Sequence, residues 1–233
     1  MNTMVELYGT KILPSEEFRN IREHLLRFVP EPSRKKINSF YREPDAQRSL
    51  FGELLIRRLL CEKLSIRNEA LQIEYEEKGK PFVRNYPVHY NMSHSGSWIV
   101  AAFSGKPVGI DVEQVKKARM EIARRFFTKS EYQNLMDAPE PARAEFFYTL
   151  WTLKESYLKA IGRGLTLSLS SFELKASQGE YAVDINGTFA EAHLQVVSLE
   201  KGYKLAVCAF EPEIRQEVIP VSANGYPEAF QKI

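Results

Sequence analysis

The sequence predicts an α+β protein built from two consecutive units, and three observations support this prediction. Apolar residues at three- and four-residue spacing mark helices in both parts of the chain. Short apolar runs bounded by Gly, Asn and Pro follow these helices, which is typical of antiparallel strands. A Gly-Lys-Pro turn at 105–107 separates the two patterns. The 233 residues therefore divide into units at 1–105 and 106–233.

The first unit is predicted to begin with a strand and continue with three helices. Phe18, Ile21 and Leu25 share one face of the first helix, which Pro30 and Pro32 are expected to end. The predicted elements, in order, are a strand at 5–12, helices from 15, from 33 and from 44 through 59, and strands at 71–75, 81–83 and 98–103. The polar segment 90–95 is predicted to be a loop between two strands.

The second unit is predicted to carry the longest helix of the chain. A strand at 108–113 comes first, and Thr128 with Glu131 three residues later has the pattern of a capping box. The long helix spans 140–161 and is closed by Gly162. After it the pattern predicts only strands, at 165–175, 181–185, 194–199 and 204–210.

Composition and charge exclude several classes of protein. Lys and Arg exceed Asp and Glu by 32 − 30 = 2, so we expect no nucleic-acid partner. The longest apolar runs are six residues, against about 18 for a membrane span, so we expect no membrane association. Cys61 and Cys208 lie in apolar segments without a CxxC pattern, which predicts two buried reduced thiols in a cytoplasmic protein.

Two carboxylates lie two residues apart in the predicted strand at 108–113. Period-2 alternation places Asp111 and Glu113 on one face, with Val108, Ile110 and Val112 on the other. Converging carboxylates repel each other, and a hard cation such as Mg²⁺ would relieve that repulsion. The alternative is a strand edge with two solvated acids, and the spacing leaves both interpretations open.

The long helix offers a further carboxylate. Trp151, Glu155 and Lys159 recur at four-residue spacing and share one face. One interpretation is an ordinary surface pair between Glu155 and Lys159, worth about 0.2–0.5 kcal/mol. The other is a third metal ligand at Glu155 with a phosphate-binding cation at Lys159.

The remaining polar candidates fit phosphate binding better than hydrolysis. His94, between Ser93 and Ser95, could donate hydrogen bonds to a phosphate, or could simply cap a turn. The chain has no GxSxG nucleophile elbow, P-loop or GxGxxG fingerprint. Several scattered basic residues could meet around a polyphosphate ligand or could form a solvated face: Arg34, Lys35, Lys36, Arg42, Arg48 and Lys80.

Five motifs in this order resemble the Sfp-type 4′-phosphopantetheinyl transferases. They are GKP at 79–81, YNMSHS at 90–95, VGIDVE at 108–113, RFFTKSEY at 125–132 and WTLKESYLKAIGRGL at 151–165. The resemblance implies two similar α+β halves related by a pseudo-twofold axis, with the active site between them. It implies a monomeric enzyme that moves the phosphopantetheine arm of coenzyme A onto a serine of an apo carrier protein and releases 3′,5′-ADP.

The resemblance also implies roles for individual residues. Asp111, Glu113 and Glu155 are expected to bind Mg²⁺, and either Glu155 or a metal-bound water is expected to accept the serine proton. The remaining implied contacts are to coenzyme A: Lys159, His94 and Ser93 at the phosphates, Arg48 and Lys80 at the nucleotide end, and Lys36 and Ser49 at the 3′-phosphate end. Ser33 departs from the family pattern, which has a lysine near this place.

Two other functions use the same residues, and one segment suggests a docking surface. A Mg²⁺-dependent phosphohydrolase or nuclease would need only the carboxylates, and a coenzyme A-binding module would need no catalytic group. Segment 114–127 mixes apolar residues with cations, among them Lys117 and Arg124. Because carriers of this family tend to be acidic, we expect the carrier protein to dock on this segment. The alternative is an ordinary amphipathic helix packed on the second half.

Overall fold

The computed structural model describes residues 4–177 and 180–232. The first half contains β1 (Met4–Lys11), α1 (Ser15–Leu25), α2 (Glu31–Ser39), α3 (Glu43–Leu64), β2 (Ile73–Tyr75), β3 (Pro81–Val83), β4 (His89–Ser95) and β5 (Trp98–Ser104). The remainder contains β6 (Val108–Gln114), α4 (Met120–Phe126), α5 (Lys129–Asp137), α6 (Glu140–Ala160), β7 (Glu173–Ser177), β8 (Glu180–Ile185), β9 (Thr188–Phe189), β10 (His193–Val197), β11 (Tyr203–Ala209), β12 (Glu213–Ile214), β13 (Ile219–Pro220) and α7 (Tyr226–Lys232). The predicted α+β class is confirmed.

Each half has a mostly antiparallel sheet and one long helix. The first sheet has the order β12-β1-β5-β4, with β13 also paired to β1, and the second has the order β6-β11-β10-β8-β7, with β9 paired to β8. A separate hairpin is formed by β2 and β3. Apolar residues of both sheets share one core, which includes Val100 and Ala102 of β5 and Ile110 and Val112 of β6. This common core joins the halves.

The long helices α3 and α6 are buried because their apolar residues cover more than one face. In α3, Leu50, Leu54 and Leu55 are all fully buried in the first-half core. Helix α6 packs against β6 so closely that a Cβ on Gly109 would lie 2.0 Å from the Ser156 carbonyl oxygen. Only glycine fits at this approach. The glycine therefore brings α6 directly onto the strand that carries Asp111 and Glu113.

Three predicted elements differ from the structure. The segment predicted as a loop at 90–95 is strand β4, paired with β5 from His89 to Ser95. The strand predicted at 165–175 is short, since 3₁₀ turns at Gly164–Thr166 and Leu169–Ser171 precede β7. These turns present the Leu169 and Phe172 carbonyls to the Lys154 ammonium. The helix predicted from residue 33 begins at Glu31, because Pro32 is tolerated in a first helical turn.

The sequence pattern predicted only strands after the long helix, but the chain ends in a helix. Strands β12 and β13 pair in parallel with β1, and α7 follows them. Tyr226 and Phe230 of α7 are buried in the core of the first half. The last segment of the chain therefore crosses from the second half back to the first.

Two smaller predictions can be compared directly with the structure. Cys61 and Cys208 are both buried free thiols, as predicted. Across the described ranges 4–177 and 180–232, no helix is both long enough and apolar enough to cross a membrane.

Candidate active site

Strand β4 lies between the two halves and sends its polar side chains to the second one. The Asn91 amide oxygen accepts a hydrogen bond from the Ile110 backbone N–H at 2.9 Å. The Ser93 hydroxyl donates to Asp111 Oδ1 at 2.9 Å, and the Ser95 hydroxyl donates to Glu113 Oε2 at 2.7 Å. Alternate residues of β4, which share one face of the strand, therefore bond successive residues of β6.

Asp111 is the most enclosed of the predicted ligands. Its carboxylate is almost fully buried, and Lys159 Nζ donates to Oδ1 at 2.6 Å. Its second oxygen, Oδ2, is buried without a hydrogen-bond partner. A buried anionic oxygen without a donor is costly, so this atom is open to a cation or a water.

The pKa values of Glu113 and Glu155 are both affected by the neighbouring acids. Burial raises the pKa of the Glu113 carboxyl, and the negative charge of Asp111 adds to this effect while the Ser95 hydrogen bond opposes it. Burial also raises the pKa of Glu155, with further increases from Asp111 and Glu113 and an opposing effect of Lys159. We call Asp111, Glu113, Glu155 and Lys159 the acidic corner.

The described residues of the acidic corner do not form a complete set of metal ligands. Among the described residues, no group of three or more His, Cys, Asp or Glu side chains is arranged to hold a metal ion. Instead Lys159 bonds Asp111, the Ser93 hydroxyl at 3.1 Å and the Ile110 carbonyl at 3.2 Å. The lysine thus supplies the positive charge that the carboxylates of β6 face.

A second group of predicted residues lines an open cleft in the first half. Lys36, Arg48, Ser49 and His94 all border it, and we call these four the basic cleft. The cleft has about 830 Å³ of empty volume, including its part open to solvent. Residues of β2, β3 and β4 also line it: Ile73, Tyr75, Pro81, Tyr90 and Met92. The rest of the lining includes two carboxylates: Phe40, Asp45, Gly52, Glu53 and Ile56.

Arg48 and His94 line the cleft near the end of β4. Arg48 donates to the Gly96 carbonyl at 2.7 Å and forms an ion pair with Asp45. His94 is exposed, and it follows Ser93 on β4, so its side chain points to the opposite face of the strand. Desolvation by the surrounding protein, and then the charge of Arg48, lower the pKa of His94. This favours a neutral imidazole in the free protein.

Lys80 lies outside both groups. Its ammonium donates to the carbonyls of Lys159 at 2.9 Å and Ala160 at 2.6 Å, at the end of α6, and to that of Val108 at 3.5 Å. It does not line the basic cleft, although its neighbour Pro81 does. Its implied contact with the nucleotide stays a prediction.

Sequence reasoning missed a buried ion pair that supports α6. Lys154 and Glu131 are fully buried and lie 2.9 Å apart. Glu131 also forms the capping box with Thr128, as predicted, and accepts from the Leu174 N–H at 2.8 Å. The motif at 151–159 contains two lysines five residues apart, and nothing in their spacing distinguishes the structural one from the one at the site.

The segment predicted to dock a carrier protein borders a groove next to Glu113. The groove has about 770 Å³ of empty volume and includes Lys116, Lys117, Arg119 and Trp151 in its lining. These three cations are exposed. The segment comprises the last residue of β6, an irregular stretch and α4.

Comparison with known families matches both halves of the chain. A sequence model described as the 4′-phosphopantetheinyl transferase superfamily matches residues 107–208. A second, described as the N-terminal part of 4′-phosphopantetheinyl transferase, matches residues 16–106. Between them the matches include every residue of the acidic corner and the basic cleft. Together the two matches indicate that the two-half fold is that of a 4′-phosphopantetheinyl transferase.

Relatives match over almost the whole chain. It is 34% identical to 4′-phosphopantetheinyl transferase Sfp of Bacillus subtilis (strain 168), over 93% of this chain and 96% of that one. It is 36% identical to 4′-phosphopantetheinyl transferase psf-1 of Bacillus pumilus, over 92% and 94% of the two chains. It is 35% identical to 4′-phosphopantetheinyl transferase gsp of Aneurinibacillus migulanus, over 88% and 86%. The chain therefore belongs to the 4′-phosphopantetheinyl transferase superfamily.

Proposed function

We propose that this enzyme transfers the 4′-phosphopantetheine arm of coenzyme A to a serine of an apo carrier protein, with Mg²⁺ bound at the acidic corner. The reacting bond is the pyrophosphate linkage of coenzyme A, so 3′,5′-ADP leaves as the serine oxygen attacks. One observation supports the proposal above all others. A basic cleft suited to a nucleotide and a corner with three carboxylates and a lysine meet at β4, where His94 lines the cleft and the preceding Ser93 bonds Asp111 and Lys159.

The donors of the acidic corner fit Mg²⁺. Carboxylate oxygens are its preferred protein ligands, and it is commonly held by a few carboxylates together with substrate phosphates. The buried, unpartnered Oδ2 of Asp111 and the mutually raised pKa values of Glu113 and Glu155 indicate a shortage of positive charge. We assign Asp111, Glu113 and Glu155 as the ligands. When bound, the cation would neutralise charge on the pyrophosphate.

The basic cleft is proposed to bind the nucleotide end of coenzyme A. Lys36 is exposed at its rim, Arg48 is held in place by Asp45 and the Gly96 carbonyl, and His94 points away from the acidic corner. Charge-assisted contacts to phosphate are among the strongest hydrogen bonds in proteins. Ser49 adds a neutral hydroxyl at the same lining. Ser93 is on the other face of β4, where it bonds Lys159.

Lys159 and Glu155 are proposed to act on the reacting groups. The Lys159 ammonium lies between Asp111 and Ser93 and can transfer its contacts to a phosphate oxygen, where it would stabilise developing negative charge. Glu155 is our candidate for accepting the serine proton, directly or through a water. In the protein without metal, burial and the neighbouring acids raise the pKa of this carboxyl. A positioned carboxylate can serve as a general base. The nucleophile belongs to the carrier protein.

The carrier protein is proposed to dock at the groove beside Glu113. Lys116, Lys117 and Arg119 give this groove a positive rim, which suits an acidic partner and accelerates encounter. We further propose a monomer whose two sequence units are 1–105 and 106–233, with the last strands and α7 of the second unit packed on the first. The two reduced thiols suit a cytoplasmic enzyme.

Mass spectrometry of a carrier domain tests the proposal. An apo peptidyl carrier domain is incubated with coenzyme A, Mg²⁺ and this protein, and its intact mass is followed with time. We expect a gain of one phosphopantetheine per domain, absent when the acceptor serine is replaced by alanine. Consumption of coenzyme A without modification of the carrier would instead indicate a phosphohydrolase. Binding of coenzyme A without turnover would indicate a binding module.

A further inference from the structure

The ammonium of Lys80 is bonded to the end of α6. Its acceptors are the carbonyl oxygens of Lys159 and Ala160, at 2.9 and 2.6 Å, and of Val108, at 3.5 Å. Lys80 belongs to the β2–β3 hairpin region of the first half, whereas Lys159 belongs to α6 of the second. The contact thus joins the halves across 79 and 80 residues of sequence.

A cation suits this position for two physical reasons. The last carbonyls of a helix have no partner within the helix, and the helix dipole makes this end negative. Helix α6 ends at Ala160, and Gly162 follows with a φ of +66°. A Cβ on Gly162 would approach Lys80 Cδ at 3.3 Å, so this turn and the lysine side chain pack together. Lys80 therefore caps α6 from outside the helix.

Lys80 lies next to residues that line the basic cleft, although it does not line the cleft itself. Pro81, directly after Lys80, and Tyr75, which pairs with Pro81 across the hairpin, both line the cleft. At its other end the contact reaches the backbone of Lys159, whose side chain bonds Asp111. The hairpin wall and the reactive lysine are thus linked through one side chain.

We infer that Lys80 is a positioning residue that fixes the end of α6, and with it Lys159, rather than a group that binds the nucleotide. The inference rests on the proposed function for its kinetic consequences, but not for the state of the ammonium. A lysine that donates to carbonyls in the free protein is shielded from reagents before any ligand binds. A lysine whose ammonium has no partner until a phosphate binds would react with such reagents in the free protein.

Lysine methylation in the native protein tests the state of the ammonium. The full-length protein is treated with formaldehyde and a borohydride reagent, with and without 3′,5′-ADP, and each lysine is quantified by peptide mass spectrometry. Lys36, exposed at the basic cleft, is the matched control. We expect Lys36 to react in the free protein and to be protected by 3′,5′-ADP, and Lys80 to resist methylation in both conditions.

Each result of this experiment has one meaning. Reaction of Lys80 as fast as Lys36 in the free protein, with protection by 3′,5′-ADP, would overturn the inference. Failure of 3′,5′-ADP to protect Lys36 would count against the proposed nucleotide cleft, while resistance of Lys80 would still support the inferred contact. The two proposals can therefore fail separately.

Kinetics of Lys80→Met test the positioning role. Without the cap, we expect kcat to fall by about tenfold or more, as for the loss of a charge-assisted hydrogen bond. The ratio of KM values for dephospho-coenzyme A and coenzyme A should stay as in the unmodified protein. A fall of that ratio towards one, or an unchanged kcat, would contradict the inference. Lys80→Arg keeps a cation at the helix end and is expected to recover part of kcat.

Discussion

The acidic corner and the basic cleft lie on opposite faces of one strand but are built in different ways. The corner is attached to β6, which pairs with β11 over seven residues, and to α6, which lies against the strand at Gly109. Asp111 is buried, Glu113 and Glu155 are partly buried, and the first two accept hydrogen bonds from serines of β4. The cleft takes its groups from α2, α3 and β4 and is open to solvent. The corner is therefore rigid before substrate arrives, whereas the cleft can adapt to it.

This difference assigns different kinetic roles to the two regions. Preorganised charges contribute where charge develops in the transition state, so changes in the corner should lower kcat. Side chains at an open cleft contribute binding energy, so changes there should raise KM for coenzyme A.

The largest effect is expected on stability, at the buried pair beneath the corner. Lys154→Met leaves the Glu131 carboxylate buried without its ammonium and leaves the Leu169 and Phe172 carbonyls without their donor. Breaking a buried pair by removing one partner costs about 3–5 kcal/mol. Urea unfolding followed by circular dichroism measures this loss. Lys117→Met, at an exposed lysine, is the control and should stay within about 0.5 kcal/mol.

The next effect is expected on turnover, at the corner itself. Asp111→Ala and Glu155→Ala should each raise the barrier by about 3–4 kcal/mol, a hundredfold to a thousandfold loss of kcat. Thermal unfolding should show that both variants fold. Glu77→Ala removes an exposed carboxylate of the hairpin and should leave kcat unchanged. Near-normal turnover of either corner variant at saturating Mg²⁺ would remove the metal assignment.

A smaller effect is expected at the basic cleft, in binding. Arg48→Ala and His94→Ala each remove a candidate phosphate contact, which should weaken coenzyme A binding by about 1.5–3 kcal/mol. Isothermal titration with coenzyme A and dephospho-coenzyme A measures this change. A variant that has lost the 3′-phosphate contact should bind both ligands equally. Unchanged affinity in both variants would exclude the cleft as the nucleotide site.

The smallest effect is expected at the segment 114–127, where the carrier protein is proposed to dock. Lys117 and Arg124 are exposed, and changing both to Glu should raise KM for the carrier several-fold while KM for coenzyme A stays the same. The dependence of the rate on salt should also weaken, because surface charges are screened over about 8–10 Å. Steady-state kinetics at two salt concentrations would show this. Equal effects on both substrates would place the carrier elsewhere.

The sequence predicted the strands and helices that bury apolar periodic faces, including β1, β6, α3 and α6. It failed where tertiary contacts decide the structure. Strand β4 was predicted to be a loop because its polar residues were not expected to be buried against the carboxylates of β6. Their alternation at 91, 93 and 95 was the available signal. The strand predicted at 165–175 is shorter because the chain turns before it, where the Leu169 and Phe172 carbonyls accept hydrogen bonds from the buried Lys154.

The candidate site was predicted unevenly for the same reason. Asp111 and Glu113 were found by spacing, because strand alternation fixes which residues share a face. Glu155 and Lys159 reach them only through the close contact at Gly109, which no local pattern reveals. The location of Lys80 at the end of α6 depends on a contact between the two halves, and its partner Lys159 is 79 residues away in sequence. Local periodicity carries no information of that kind.

The division of roles between the corner and the cleft is tested most directly by initial rates of carrier modification measured against Mg²⁺ and coenzyme A concentrations. The variants compared are Glu155→Gln and Arg48→Ala. We predict that Glu155→Gln lowers kcat and raises the Mg²⁺ concentration needed for half-maximal rate, with KM for coenzyme A unchanged. Arg48→Ala should raise KM for coenzyme A and leave the Mg²⁺ requirement unchanged. Modification at the full rate in EDTA, or the same pattern in both variants, would contradict the account.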